Sequence, residues 1–185
     1  MNQNVSPPSI GFYRGLDGQR LAVRRWGQDT AAPNIVFLHG IISHGGWYES
    51  SCSHLASHGF RVHFLERRGS GLNADHRGDI DQWNTWLSDV TAYLDQLQGP
   101  RIVLGISWGG ILAMALAHHQ PHLMTGVGLI CPGLLSTKDA SAVQRLGLRI
   151  ASAVGLKRMR VSVPLQDPVL FTNSKTHQKY VGQDP

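Results

Sequence analysis

The chain has 185 residues, 42% of them hydrophobic and 16% charged, which is enough apolar content for one sizeable core and too little length for two ordinary domains. Its formal charge of +5 comes from 17 Lys and Arg that are scattered, apart from residues 145–160, so nucleic acid is not expected as a partner. Residues 1–9 are polar and lack the basic-then-apolar order of a secretory signal, no apolar run reaches the length of a membrane span, and Cys52 and Cys131 have neither disulfide nor metal spacing. Both cysteines are expected to be reduced, buried thiols of a soluble, cytoplasmic protein.

Residues 10–14 and 20–26 flank Asp17-Gly18, a strong hairpin signal, so the chain opens on an antiparallel pair. From Asn34 onward, short apolar runs at 35–38, 61–65, 102–106 and 126–130 alternate with helix-like segments at 48–58, 80–97 and 110–119. That alternation predicts an α/β fold, a mostly parallel sheet with helices on both faces. Asp79 and Asp81 place negative charge in the first turn of the second helix, and Gly99-Pro100 stops it. Past Pro132-Gly133 the pattern loosens. Residues 140–160 read as a basic amphipathic helix or helix pair, with Val143, Leu146, Ile150 and Val154 on one side and Arg145 and Arg149 on another. Beyond Val161 the residues look irregular. Residues 1–135 are therefore expected to form the core and 136–185 a lid-like segment.

The stretch Gly105-Ile106-Ser107-Trp108-Gly109 sits where an apolar strand meets an apolar helix. A tight strand-to-helix turn holds such a serine in a strained conformation that small flanking residues tolerate, lifting its hydroxyl above the sheet. The helix N-terminus behind it offers backbone N–H groups to a developing oxyanion. The pentapeptide reads as a nucleophile elbow.

Two further landmarks stand in order before it: Phe37-Leu38-His39-Gly40-Ile41 at the end of one strand, and Leu65-Glu66-Arg67-Arg68-Gly69-Ser70-Gly71 at the end of the next. Across residues 10–133 the three together resemble the α/β-hydrolase family, and within it the lysophospholipase and monoacylglycerol lipase type of serine esterase. The resemblance implies that Ser107 is the nucleophile, that the backbone N–H groups of Ile41 and Trp108 form the oxyanion hole, and that His39, Gly40 and Ile42 line the substrate site. His39 is expected to brace its own turn by hydrogen bonding. No metal or organic cofactor is needed for such chemistry, and His54, His58, His118, His119 and His122 lack ligand spacing to a carboxylate cluster. Aspartate at Ser107 would mark a dehalogenase-like relative, proline after His39-Gly40 an epoxide hydrolase, and a His-Gly-Gly-Pro-Gly turn a proline iminopeptidase; this chain has none of them.

In that family the nucleophile is followed by an acid and then a histidine. After Ile130 the chain offers Asp139, Asp167, Asp184 and His177, all in the lid-like or irregular part, and His177 reads as a solvated loop residue. Glu66 and Asp75 follow the strand expected beside the elbow strand, where Glu66 has a structural role. The chain is thus expected to be the N-terminal part of an α/β hydrolase, truncated after about the sixth strand and part of the lid, with strand 126–130 left as an open apolar edge prone to association. The expected function is hydrolysis of carboxylic esters of the acylglycerol or lysophospholipid kind through an acyl-enzyme, impaired by the missing acid and base, with membrane-surface contact through the basic helix. The alternative is a non-catalytic half-domain that binds acyl ligands or pairs with a separate C-terminal piece.

Overall fold

The computed structural model describes residues 6–134, 141–153, 155, 165 and 167–184. Residues 1–135 and 136–185 form two compact units. In the first, β1 (Ser9–Arg14) and β2 (Arg20–Trp26) make an antiparallel hairpin with Arg14 opposite Arg20. Then β3 (Asn34–Leu38), β4 (Arg61–Leu65), β5 (Arg101–Ile106) and β6 (Gly126–Ile130) alternate with α1 (Glu49–Ser57), α2 (Trp83–Leu94) and α3 (Trp108–His119). The sheet runs in the order β1-β2-β4-β3-β5-β6, with β2 antiparallel to β4 and every later pairing parallel.

Alternation along the central strands divides the core into two layers. Val36 and Leu38 of β3, Leu65 of β4 and Val103 of β5 pack with Val90, Tyr93 and Leu94 of α2 and Leu112 and Leu116 of α3. Ile35 and Phe37 of β3 and Val62 and Phe64 of β4 point the other way, onto Cys52 of α1 and Trp26. All five residues of β3 are buried, as the middle of a parallel sheet covered on both faces demands. A polar crosspiece fixes the start of these strands: Asn34 Nδ2 donates to the carbonyls of Gln98 and Pro100 at 2.8 and 3.1 Å, leaving its Oδ1 to accept from His63 Nε2 at 3.0 Å. His63 Nδ1 is then the acceptor for the Tyr93 hydroxyl at 2.7 Å, so the ring is neutral, and burial pushes its pKa down to about 4.

Several expectations are corrected. Helix α2 begins at Trp83, after Gln82, so Asp79 and Asp81 precede it and its first turn holds no acid. A turn closed by Asp79 N–H on the His76 carbonyl, 2.8 Å, occupies that stretch instead. Strand β4 does not flank the elbow strand, because β3 lies between β4 and β5. Cys52 is buried but Cys131 is exposed, at the edge end of β6. Helix α3 starts at Trp108, two residues earlier than Gly110.

In the second unit, α4 (Ala142–Ala153) leaves Val143, Leu146 and Ile150 exposed. Val154, Arg160 and Asp139 lie outside the described residues. The stretch expected to be irregular contains a 3-10 turn, Pro168–Leu170, capped by Asp167, and an eight-residue helix α5 (Lys175–Gly182) that carries His177. Periodicity is a weak signal over so short and polar a helix. It is steadied by Gln178 Nε2 donating to the Thr172 carbonyl at 2.7 Å.

Candidate active site

Ser107 stands between β5 and α3 with φ 52° and ψ −116°, a region L-residues rarely occupy. The bend is tight because backbone segments meet there. A Cβ on Gly105 would lie 2.5 Å from the Gly109 carbonyl oxygen, and one on Gly109 would lie 2.7 Å from the His39 carbonyl oxygen. The strained residue is held from both sides: its N–H donates to the Ile130 carbonyl at 3.0 Å, and its own carbonyl accepts from Gly110 and Gly133 at 2.9 and 3.0 Å. Among the described residues the Ser107 hydroxyl has no hydrogen-bond partner.

The strap after β3 passes beside it. Gly40 lies so close that a Cβ there would stand 3.5 Å from Ser107 Cβ and 3.2 Å from Ser43 Oγ. His39 is buried, with Nδ1 2.8 Å from the Gly40 carbonyl and Nε2 accepting the Arg67 N–H at 3.1 Å. These partners fix the neutral Nδ1–H tautomer. Burial, reinforced by the Arg67 charge, pushes the His39 pKa down to about 3. His39 thus braces the turn and is not free to serve as a base. Ile41 is half-buried, Ile42 is exposed, and among the described residues neither the Ile41 nor the Trp108 amide donates a hydrogen bond. Ser43, which the sequence did not single out, is buried and takes a 3.2 Å hydrogen bond from the Tyr48 hydroxyl.

Charge pairs anchor the loop after β4. Glu66 is wholly buried; Arg24 Nε donates to it at 2.6 Å, and the Gly45 N–H approaches it at 3.3 Å. Arg24 also reaches Glu49 at 2.8 Å, so Arg24 links β2 to α1 while Glu66 links it to the strap. Arg68 forks onto Asp89 of α2 with two 2.6 Å bonds and onto Asp17 of the hairpin tip with two 2.7 Å bonds, holding the Asp17 carboxyl down to about 2. Arg67 lies against two indoles, 4.7 Å from the ring centre of Trp108 and 5.1 Å from that of Trp86.

Beside the elbow, on the α1 face, runs an open apolar groove lined by Phe37, Tyr48, Leu55, Leu104, Ile106 and Ile130. No set of three or more His, Cys, Asp or Glu that could hold a metal ion occurs among the described residues, and no described helix is long and apolar enough to cross a membrane. His177 and Asp167 belong to the other unit, where both are exposed.

A mostly parallel sheet with helices on both faces, carrying a strained serine at the strand-to-helix bend, defines an α/β hydrolase. The model of the family described as serine aminopeptidase, S33, matches residues 29–185, and the chain belongs to that family. It is 25% identical to human monoglyceride lipase over 189 residues, covering 99% of this chain and 62% of that enzyme. It is 29% identical to a proline iminopeptidase of Arabidopsis thaliana over 138 residues, covering 73% of this chain and 36% of that one. Among solved structures, a soluble variant of monoglyceride lipase from Saccharomyces cerevisiae superposes with a TM-score of 0.79 at 17% identity, over 100% of this chain and 64% of that one. The chain therefore spans less than two thirds of the length of each of these relatives.

Proposed function

We propose that this chain carries the nucleophile and oxyanion hole of a serine hydrolase acting on carboxylic esters, with acylglycerol or lysophospholipid-like substrates. The observation that carries the reading is Ser107 at φ 52°, whose hydroxyl, like the nearby amides of Ile41 and Trp108, has no hydrogen-bond partner among the described residues. Ser107 Oγ attacks the ester carbonyl and gives up its proton to a base. The carbonyl oxygen becomes an oxyanion received by the two amides, the alcohol leaves with a proton, and water then releases the acid from the acyl-serine. A preorganised amide donor of this kind is worth about 3 to 4 kcal/mol in barrier. An ester is preferred over a peptide because an alkoxide is the easier leaving group for a site whose base and acid are unassigned. Val143, Leu146 and Ile150 beside Arg145 and Arg149 give α4 an apolar face flanked by positive charge, and we assign it contact with anionic lipid surfaces.

Turnover by the chain alone is expected to be poor, since no acid and histidine partner is assigned to Ser107 and His39 is committed to its turn. Activity-based labelling with an alkyl fluorophosphonate, mapped by mass spectrometry, tests the reading: modification at Ser107 that disappears in Ser107→Ala supports it, and labelling that survives that substitution overturns it. A second reading rests on β6, whose outer edge is unpaired among the described residues and exposes Val127, Leu129 and Ile130. On this reading the chain is a half-domain that pairs with a separate C-terminal piece. Restoration of ester turnover on adding the C-terminal portion of a relative would favour it over a self-sufficient esterase.

A further inference from the structure

Arg67 occupies an unusual position for a cation. Among the described residues it has no carboxylate partner, and its Nε and Nη1, like Trp86 Nε1, are buried without an oxygen or nitrogen acceptor. A guanidinium held away from water without a counter-charge is costly, so its contacts must compensate. On one side Nη2 donates to the Ile41 carbonyl at 2.8 Å and approaches the Gly40 carbonyl at 3.3 Å. On the other, the guanidinium meets the rings of Trp108 and Trp86, which are themselves edge-to-face at 4.6 Å.

The peptide joining Gly40 to Ile41 is one rigid trans plane, so its carbonyl and its N–H point in opposite directions. The Gly40 carbonyl is drawn toward His39 Nδ1 at 2.8 Å and toward Arg67. The Ile41 N–H is thereby turned away from both, and the Arg67 backbone N–H holds His39 in place for that task. Trp108, whose indole rests on the same guanidinium, carries the other amide of the oxyanion hole. We infer that Arg67 is a positioning residue that sets both oxyanion donors at once, orienting the Ile41 amide through the strap carbonyls and the Trp108 amide through its indole. This rests on the oxyanion hole proposed above.

The test uses the full chain with Arg67→Met, which keeps the stem but removes charge and fork, and Arg67→Lys, which keeps the charge. Phosphonylation of Ser107 by an alkyl fluorophosphonate is followed against probe concentration. The maximal rate is expected to fall about 10- to 100-fold in Arg67→Met, the effect of misplacing transition-state donors, while the half-saturating probe concentration stays within about twofold. Arg67→Lys should recover part of the rate. A wild-type maximal rate in Arg67→Met, or a loss confined to half-saturation, overturns the inference while leaving Ser107 as nucleophile. If the wild-type chain is not labelled at Ser107, it is the nucleophile reading that fails. Nitrogen-15 relaxation then decides the clamp by itself: in Arg67→Met, or in Arg67→Lys should the former not fold, exchange broadening confined to the Ile41 and Trp108 amides supports it, and unchanged amides overturn it.

Discussion

The rim where β3, β4 and β5 end differs sharply from the β6 edge of the same sheet. At the rim every loop is tied: the strap by His39 and Arg67, the loop after β4 by Glu66 and Arg68, the elbow by Ile130 and Gly133. At β6 the burial of β3 is gone, and Val127, Leu129 and Ile130 face solvent. The strained serine sits where neighbours over-determine the backbone: the strap crowds it from the centre of the sheet, and the edge adds two backbone bonds, to the Ile130 carbonyl and from the Gly133 N–H.

The elbow is the point of the rim most sensitive to substitution. Gly109→Ala drives a methyl group into the Leu38 and His39 backbone, which cannot step aside as a flexible side chain can. It is expected to cost about 3 kcal/mol or more, read as the urea midpoint; tolerance would mean that the rim is loose. Next is Glu66→Gln, which leaves Arg24 with Glu49 as its one carboxylate partner among the described residues and should cost about 2 kcal/mol by the same measurement.

Acid probes the braces from another direction. His39 and His63 are neutral in the fold with pKa values near 3 and 4, whereas an unfolded imidazole titrates near about 6.5. Below about pH 6.5 the unfolded chain binds protons that the folded chain refuses, so stability is full above that pH and falls on acidification toward pH 4. Each histidine contributes a slope of about 1.4 kcal/mol per pH unit. Urea midpoints at pH 7, 5.5 and 4.5 should show this, with a slope reduced by about half in His63→Gln. The smallest effect on stability is expected at the edge. Leu129→Lys should change it by less than about 0.5 kcal/mol while lowering self-association in sedimentation velocity, since a charge on an open strand blocks pairing.

The alternation of strands and helices was legible in the sequence because each central strand is an apolar run bounded by turn residues, and the elbow was legible because its glycines and serine are neighbours in the chain. The braces were not. Arg68 and Asp17 are 51 positions apart, Arg24 and Glu66 42, and Arg68 and Asp89 21, and nothing local marks either partner as paired. The start of α2 departs from the sequence pattern for the opposite reason: Asp79 and Asp81 are good first-turn residues, but the turn closed on His76 uses that stretch before the helix begins. The second landmark contains Arg67 but gives it no task, because its contacts are two indoles and two carbonyls that only the fold brings together.

The Arg68 fork has a consequence for assembly. The hairpin of β1 and β2 closes from nearby residues, yet the carboxylate at its tip shares its guanidinium with Asp89 of α2. One side chain therefore makes three pieces of the chain mutually dependent. Removing the Asp17 carboxylate would leave Arg68 held by Asp89 alone, so a change at the hairpin tip would be felt in the loop next to the strap.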